Sequence, residues 1–397
     1  MRKIFEEQKF RKDTMSRKWD GLKQYFGTDD ALPFWVADMD FEASNEIHKA
    51  FTERIEHGIY GYVTPEEKCY QSIEKWFLRR HQWQIPQESI IFSPGVLAGI
   101  SMTLEAFSEV NSGVVIQSPV YPSFAEIIQK MGRRLIENQL YEADGGIYRM
   151  NLEELEDIFK KESPEWLIFC NPHNPVGRVW SKEELVDLAK LCAKYHVKVM
   201  SDEIHGDLAL GANRYIPFAS IAEPLGVTVF TGFAASKAFN VAGLTTSFWI
   251  VQDTDMKNKL WGAFEKYKIT EPNLFGIIAL QTCYDKCEFW LDELKEYLFS
   301  NAYYVNEMIN YHAPGMKANF PEGTFLSWLD CREMGLSQEE LKRFFIDEAK
   351  IALSDGRSFG RAGDGFMRLN FGCSRVQLRE GLERIVAAAR SKRGWKL

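Results

Sequence analysis

The chain has 397 residues, about two to three domains' worth, and is 45% hydrophobic and 26% charged, which excludes a disulfide-stapled mini-protein and a disordered chain alike. Its 48 basic and 56 acidic side chains leave a net charge of −8 with no long block of like charges, so nucleic-acid binding and membrane attachment are disfavoured as main roles. Seven scattered cysteines, an odd number, and an opening MRKIFEEQKFRKD without an apolar core or cleavage site predict a cytoplasmic protein with reduced thiols.

In chain order, residues 1–45 are polar and then read LPFWVADMDF without a strong period; they are expected to form an arm and part of a small domain. Residues 46–287 are expected to form a large domain. Between about 90 and 250, the runs IIFSP, GVVIQSPVY, WLIFCNPHNP, VKVMSDE, VTVFTGFAAS and TTSFWIVQ alternate with amphipathic helical stretches. That alternation predicts mainly parallel strands joined by helical crossovers, an α/β fold. Ser181 and Glu184 form a capping-box pattern ahead of Leu185, Leu188, Ala189 and Cys192 on one helical face. Cys283 and Cys287 have helical i,i+4 spacing with no second Cys or His pair nearby, so they read as buried thiols and no metal site is expected. Residues 288–397 pass from a long helical run through FLSWLD, a helix opened by Ser337 and Glu340, IALSDG and FMRLNF to a last helix from about Ser374, a small α+β domain.

Ligands of open parallel sheets sit beyond the carboxyl ends of the strands, so the residues just after each strand carry the functional reading. After WLIFC comes the double Asn-Pro turn Asn171 to Gly177, after VKVMS comes Asp202-Glu203-Ile204-His205, and after VTVFT comes Gly232 to Lys237. The separations between Asn174, Asp202 and Lys237 each equal about one strand-helix-strand unit, so the three should converge at one sheet edge. A lysine amine that can form an imine, a carboxylate that can hold a pyridine nitrogen protonated and an amide that can bond a phenolate oxygen fit pyridoxal 5'-phosphate. Its phosphate would find Ser236 and the backbone N–H groups of Val96 and Leu97, where a helix opens after Ser93-Pro94-Gly95; Tyr121 could stack on the ring. Neither GxGxxG after the first strand nor GxxxxGK[ST] is present.

NPHNPVGR, DEIH, ASKAFNVAGL and FMRLNF closely resemble the fold-type I pyridoxal phosphate enzymes of the class I/II aminotransferase superfamily. LPFWVADMDF, HGIYGY and SDEIHGDL narrow the resemblance to its MalY/PatB-type cystathionine β-lyase branch, over about residues 15 to 390. The resemblance implies a homodimer with shared active sites, each chain having a large domain with a mostly parallel sheet flanked by helices and a small α+β domain built from both chain ends. It makes Lys237 the Schiff-base lysine, Asp202 the pyridinium partner, Asn174 the donor to the 3′ oxygen beside the substrate, and Tyr121 the stacking ring. Arg368 becomes the arginine that grips the substrate α-carboxylate, and Tyr62 the tyrosine that reaches the other subunit's phosphate.

Two positions depart from the wider pattern. His205 stands where many aminotransferases bond the 3′ oxygen through tyrosine, which agrees with the lyase branch. Ala234-Ala235-Ser236 replaces a frequent Ser-x-Ser or proline, so one phosphate contact is expected to be missing. Trp35, the backbone N–H of Ala37, and His173 are candidates for the substrate pocket wall, with plain packing as the alternative. The activity implied is carbon–sulfur β-elimination from cystathionine or a related S-substituted cysteine, giving a thiol, pyruvate and ammonia. An aminotransferase shares every cofactor residue and stays open, as does a regulatory protein with residual lyase activity.

Overall fold

A computed structural model describes residues 3–143 and 146–392. Its centre is a seven-stranded sheet made of β1 (Ile90–Ser93), β2 (Gly113–Ser118), β3 (Arg134–Gln139), β4 (Trp166–Cys170), β5 (Lys198–Asp202), β6 (Val229–Phe233) and β7 (Ser247–Ile250), in the order β1-β7-β6-β5-β4-β2-β3. All neighbours pair parallel except β7, which runs antiparallel to both β1 and β6. The sequence runs foresaw six of these strands; β3, RLIENQ, was missed because it is an edge strand whose alternating exposure leaves too few apolar residues to read as a run.

Both faces of the sheet are covered. Val114, Ile116, Ile168, Met200, Phe230 and Trp249 point to one layer of helices, whereas Val115, Leu167, Phe169, Val199 and Phe248 point to the other, following the two-residue period of a strand. The helix Val96–Phe107 lies so close to the sheet that a Cβ on Gly99 would sit 1.7 Å from the Trp249 indole nitrogen, so only glycine lets its amino end reach the sheet edge. The capping boxes at Ser181 and Ser337 are both formed. Cys283 and Cys287 are buried, as are the other five cysteines, and no group of three metal-binding side chains occurs among the described residues.

A second, antiparallel sheet joins Lys317–Ala318, Leu326–Asp330, Phe366–Asn370 and Ser354–Asp355, in that order. Leu32–Pro33, from the amino-terminal stretch, pairs with Ile351–Ala352 beside it. Asp40 accepts hydrogen bonds from Lys18 (2.7 Å), Trp19 (3.0 Å), Arg11 (2.8 Å) and Gln377 (3.1 Å), binding the amino-terminal stretch to the last helix, Arg375–Lys392. Among the described residues no helix is long and apolar enough to cross a membrane.

Candidate active site

The carboxyl ends of β4, β5 and β6 open into a cavity of about 480 Å³ whose far wall comes from residues 35–37 and the second sheet. Asn174, Asp202, His205, Ser236, Lys237, Tyr121, Val96, Leu97, Trp35, Ala37 and Arg368 all line it. Tyr62 does not; it is 95% exposed in the irregular stretch after the helix Asn45–His57. His173 is fully buried inside the double Asn-Pro turn, where its Nε2 lies 3.3 Å from the Gln117 carbonyl, and it does not reach the cavity. It is a packing residue.

Arg368 is fixed on three sides. It donates to Asn174 Oδ1 (3.0 Å), the Trp35 carbonyl (2.8 Å) and Ser354 Oγ (3.2 Å), and its guanidinium lies 4.8 Å from the Phe359 ring centroid. Ser354 and Arg368 are register partners across the second sheet, which is why their side chains meet. Among the described residues no carboxylate pairs with this arginine, and burial lowers its pKa to about 10. A planar, pre-positioned guanidinium without a counter-ion is a receptor for a carboxylate.

Lys237 Nζ donates to the Ala37 carbonyl at 2.7 Å, so Ala37 meets the site through its C=O. Burial is the main cause of a lysine pKa lowered to about 8, with Asp38 and Asp202 opposing the shift and Arg368 adding to it. Asp202 accepts one hydrogen bond, from the Ile204 N–H at 3.1 Å, and burial pushes its carboxyl up to about 6 despite that bond and the Lys237 charge. His205 is buried and its Nδ1 has no partner among the described residues; burial, then the charges of Lys237 and Arg368, lower its pKa and favour the neutral ring. Behind it, Glu203 is locked by Ser201, Tyr215 and the Phe218 N–H, which fixes the end of β5.

At the opposite end of the cavity, Gly95 has φ +126° and ψ 150°, a conformation that belongs to glycine, and the helix that follows starts without a side-chain cap. Ser93 Oγ and Ser247 Oγ meet at 2.7 Å, and Ser247 also accepts the Gly95 N–H at 3.1 Å, so the turn is held in place and Val96, Leu97 and Ala98 after it line the cavity. A helix start of this kind offers unpaired backbone N–H groups, which suit an anion.

The family model described as aminotransferase class I and II matches residues 30–385. The chain belongs to the aminotransferase class I and II family. Within curated proteins it is 41% identical to the cystathionine β-lyase PatB of Bacillus subtilis (strain 168), covering 97% of this chain and 99% of that one. It is 32% identical to the protein MalY of Escherichia coli (strain K12), covering 96% and 98%. Among solved structures it resembles cystalysin from Treponema denticola, which contains a pyridoxal 5'-phosphate cofactor, with a TM-score of 0.93 at 32% identity over 98% of each chain.

In this aminotransferase-family chain the sequence reading missed several cavity residues. Thr246 and Ser247 follow the lysine loop, and Ser354 could have been found as the hydroxyl in the strand opposite FMRLNF. Arg17, in a short polar helix, carried no signal at all. Asn240 and Asn370 lie within ASKAFNVAGL and FMRLNF, where the sequence gives no sign of what they hold. Asn240 bonds the Met39 N–H and the Met39 and Phe41 carbonyls (2.7 to 3.0 Å), and Asn370 donates to the Val36 and Asp38 carbonyls (2.5 and 2.6 Å).

Proposed function

We propose that this protein is a pyridoxal phosphate-dependent carbon–sulfur β-lyase that cleaves cystathionine or a related S-substituted cysteine to a thiol, pyruvate and ammonia. The observation that carries this reading is the convergence of Lys237, Asp202 and Arg368 on one cavity, in a chain 41% identical to a cystathionine β-lyase over nearly its whole length.

The donor set fits the cofactor. Asp202 is a buried carboxylate short of partners, suited to a protonated ring nitrogen, and the uncapped helix end at Val96 and Leu97 with Ser236 beside it suits a phosphate. Asn174 and His205, both on the cavity wall, would bond the ring's 3′ oxygen, and Tyr121 would cover its face. When bound, the cofactor supplies a carbonyl carbon that amines join and a ring that spreads the electron pair left at Cα. Arg368 holds the α-carboxylate in a two-pronged pair and so fixes which bond at Cα faces Lys237. Lys237, whose burial favours the neutral amine, would accept the Cα proton at Nζ and, as an ammonium, could hand a proton to the departing sulfur. Water entering afterwards completes hydrolysis to pyruvate and ammonia.

Tyr62, exposed beside Ile55, Ile59 and Tyr60, belongs in this reading to a homodimer contact that carries it to the partner's phosphate. The arm at 1–45 with a large domain to 287 and a small one from 288 is the matching domain division, supported by the pairing of Leu32–Pro33 with Ile351–Ala352. A cytoplasmic location agrees with seven free, buried thiols. Incubating the pure protein with cystathionine tests the function: stoichiometric homocysteine and pyruvate are expected, and amino transfer to a keto acid without thiol release overturns it.

A further inference from the structure

The cavity that holds Lys237 adjoins another of about 450 Å³, and the two have Arg17 and Ala242 in common among their lining residues. The other cations of the neighbouring cavity are already paired. Lys9 contacts Glu7 and Glu42 at 2.9 and 3.0 Å, and Arg11 contacts Asp38 and Asp40, both at 2.8 Å. Arg17 is different: among the described residues its side chain has no hydrogen bond and no ion pair. Its backbone is nevertheless fixed, because Ser16 caps the short helix, Lys18 and Trp19 are anchored on Asp40, and the Lys18 carbonyl accepts from the Trp35 indole at 3.0 Å. Arg368, in the same cavity, also bonds only an amide, a carbonyl and a hydroxyl. The wall of the Lys237 cavity therefore carries two guanidinium groups, buried Arg368 and exposed Arg17, without a carboxylate partner among the described residues, and a ligand with two anionic groups satisfies both.

We propose that Arg17 receives a second carboxylate, carried at the far end of the sulfur substituent, so that the preferred substrates are cysteine S-conjugates whose substituent ends in an anion. This rests on the lyase reading and adds a specificity residue to it. With the α-carboxylate on Arg368, a substituent beyond Cβ and sulfur that extends toward the residues the two cavities share would meet Arg17.

The test compares S-(2-carboxyethyl)cysteine with its carboxamide, which differ in charge and hardly in size, in the cofactor-loaded wild type, Arg17→Gln, Arg17→Lys and Arg17→Glu. The ratio of kcat/KM, acid over amide, is expected to be at least about fivefold in the wild type, to fall near one in Arg17→Gln, to recover partly in Arg17→Lys and to drop below one in Arg17→Glu. A ratio in Arg17→Gln within twofold of the wild type overturns the proposal. If neither compound releases pyruvate, the lyase reading fails on its own account. The same acid-to-amide ratio is then read from dissociation constants, by titrating the absorbance of the bound cofactor, and the same twofold criterion decides the role of Arg17.

Discussion

Lys237 and Arg368 donate to main-chain carbonyls only two residues apart on one segment, Ala37 at 2.7 Å and Trp35 at 2.8 Å. Asn240, three residues after the lysine, and Asn370, two after the arginine, grip the same segment at Met39, Phe41, Val36 and Asp38. Residues 35–41 thus act as a strap on which the amine and the carboxylate receptor are set relative to each other.

Cutting that strap has a measurable cost. Asn370→Ala removes two part-buried donations and the buried acceptance from the Gly372 N–H at 2.7 Å. Urea unfolding should show a loss of about 2 to 4 kcal/mol, from buried backbone groups left unpaired. Wild-type stability in this variant would mean the strap is held elsewhere.

Arg368→Lys keeps the charge and loses the fork. A lysine can satisfy only part of what Asn174, Trp35, Ser354 and an incoming carboxylate share, so kcat/KM for an S-alkylcysteine should fall roughly 10- to 100-fold, chiefly through KM, the equivalent of about 1.5 to 3 kcal/mol for charged hydrogen bonds. A change confined to kcat would point to a role nearer the proton transfer.

Asp202 gives a pH-dependent trade. Its folded pKa of about 6 lies above the free value of 3.8, so in cofactor-free protein the buried charge destabilises the fold above pH 6, the penalty fades between pH 6 and 4, and it is gone below. Asp202→Asn should therefore stabilise the cofactor-free protein at pH 7.5 by up to about 3 kcal/mol and give no gain at pH 3.5, while weakening cofactor binding. Paired denaturant titrations at the two pH values check the sign; a gain at the acid end alone would contradict it.

A shared site predicts complementation. Tyr62→Phe should weaken cofactor binding by about 1.5 to 3 kcal/mol, one hydrogen bond to a charged group. Tyr62→Ala and Lys237→Ala chains, each inactive, should regain partial activity on mixing, because one site of the mixed dimer then has both residues. Demonstrated subunit exchange without recovery would exclude the shared site.

The positions of Asn174, Asp202 and Lys237 were readable because each follows a strand in a regular strand-helix-strand rhythm, and rhythm alone fixes which sheet edge they share. Arg368 needed the family resemblance: nothing in FMRLNF reveals that a strand of another sheet faces the first. The Ala37 carbonyl went unread as the partner of Lys237 because an irregular strap has no period from which to deduce which backbone group meets a distant side chain. Arg17 was invisible for the opposite reason, since its distinction is the absence of a partner, and partners are set by tertiary structure.

The reversal of β7 determines how the lysine is delivered. Because β6 ends and β7 begins at the same sheet edge, residues 234–246 return there without crossing a face, and Ala234, Ser236, Lys237, Ala242, Thr245 and Thr246 all stay on the cavity. The lysine loop can thus take shape from contacts close in sequence. Its partners are remote: Ala37 is 200 positions away, and the arginine on the Trp35 carbonyl bridges 333. During synthesis the amine is housed as soon as the central sheet forms, yet a carboxylate cannot be received until the strand Phe366–Asn370 has been made and has met the amino-terminal strap. If Arg368 receives the substrate carboxylate as proposed, competence to bind an amino acid is among the last things this chain assembles, and a nascent protein able to hold cofactor would not yet be able to consume substrate.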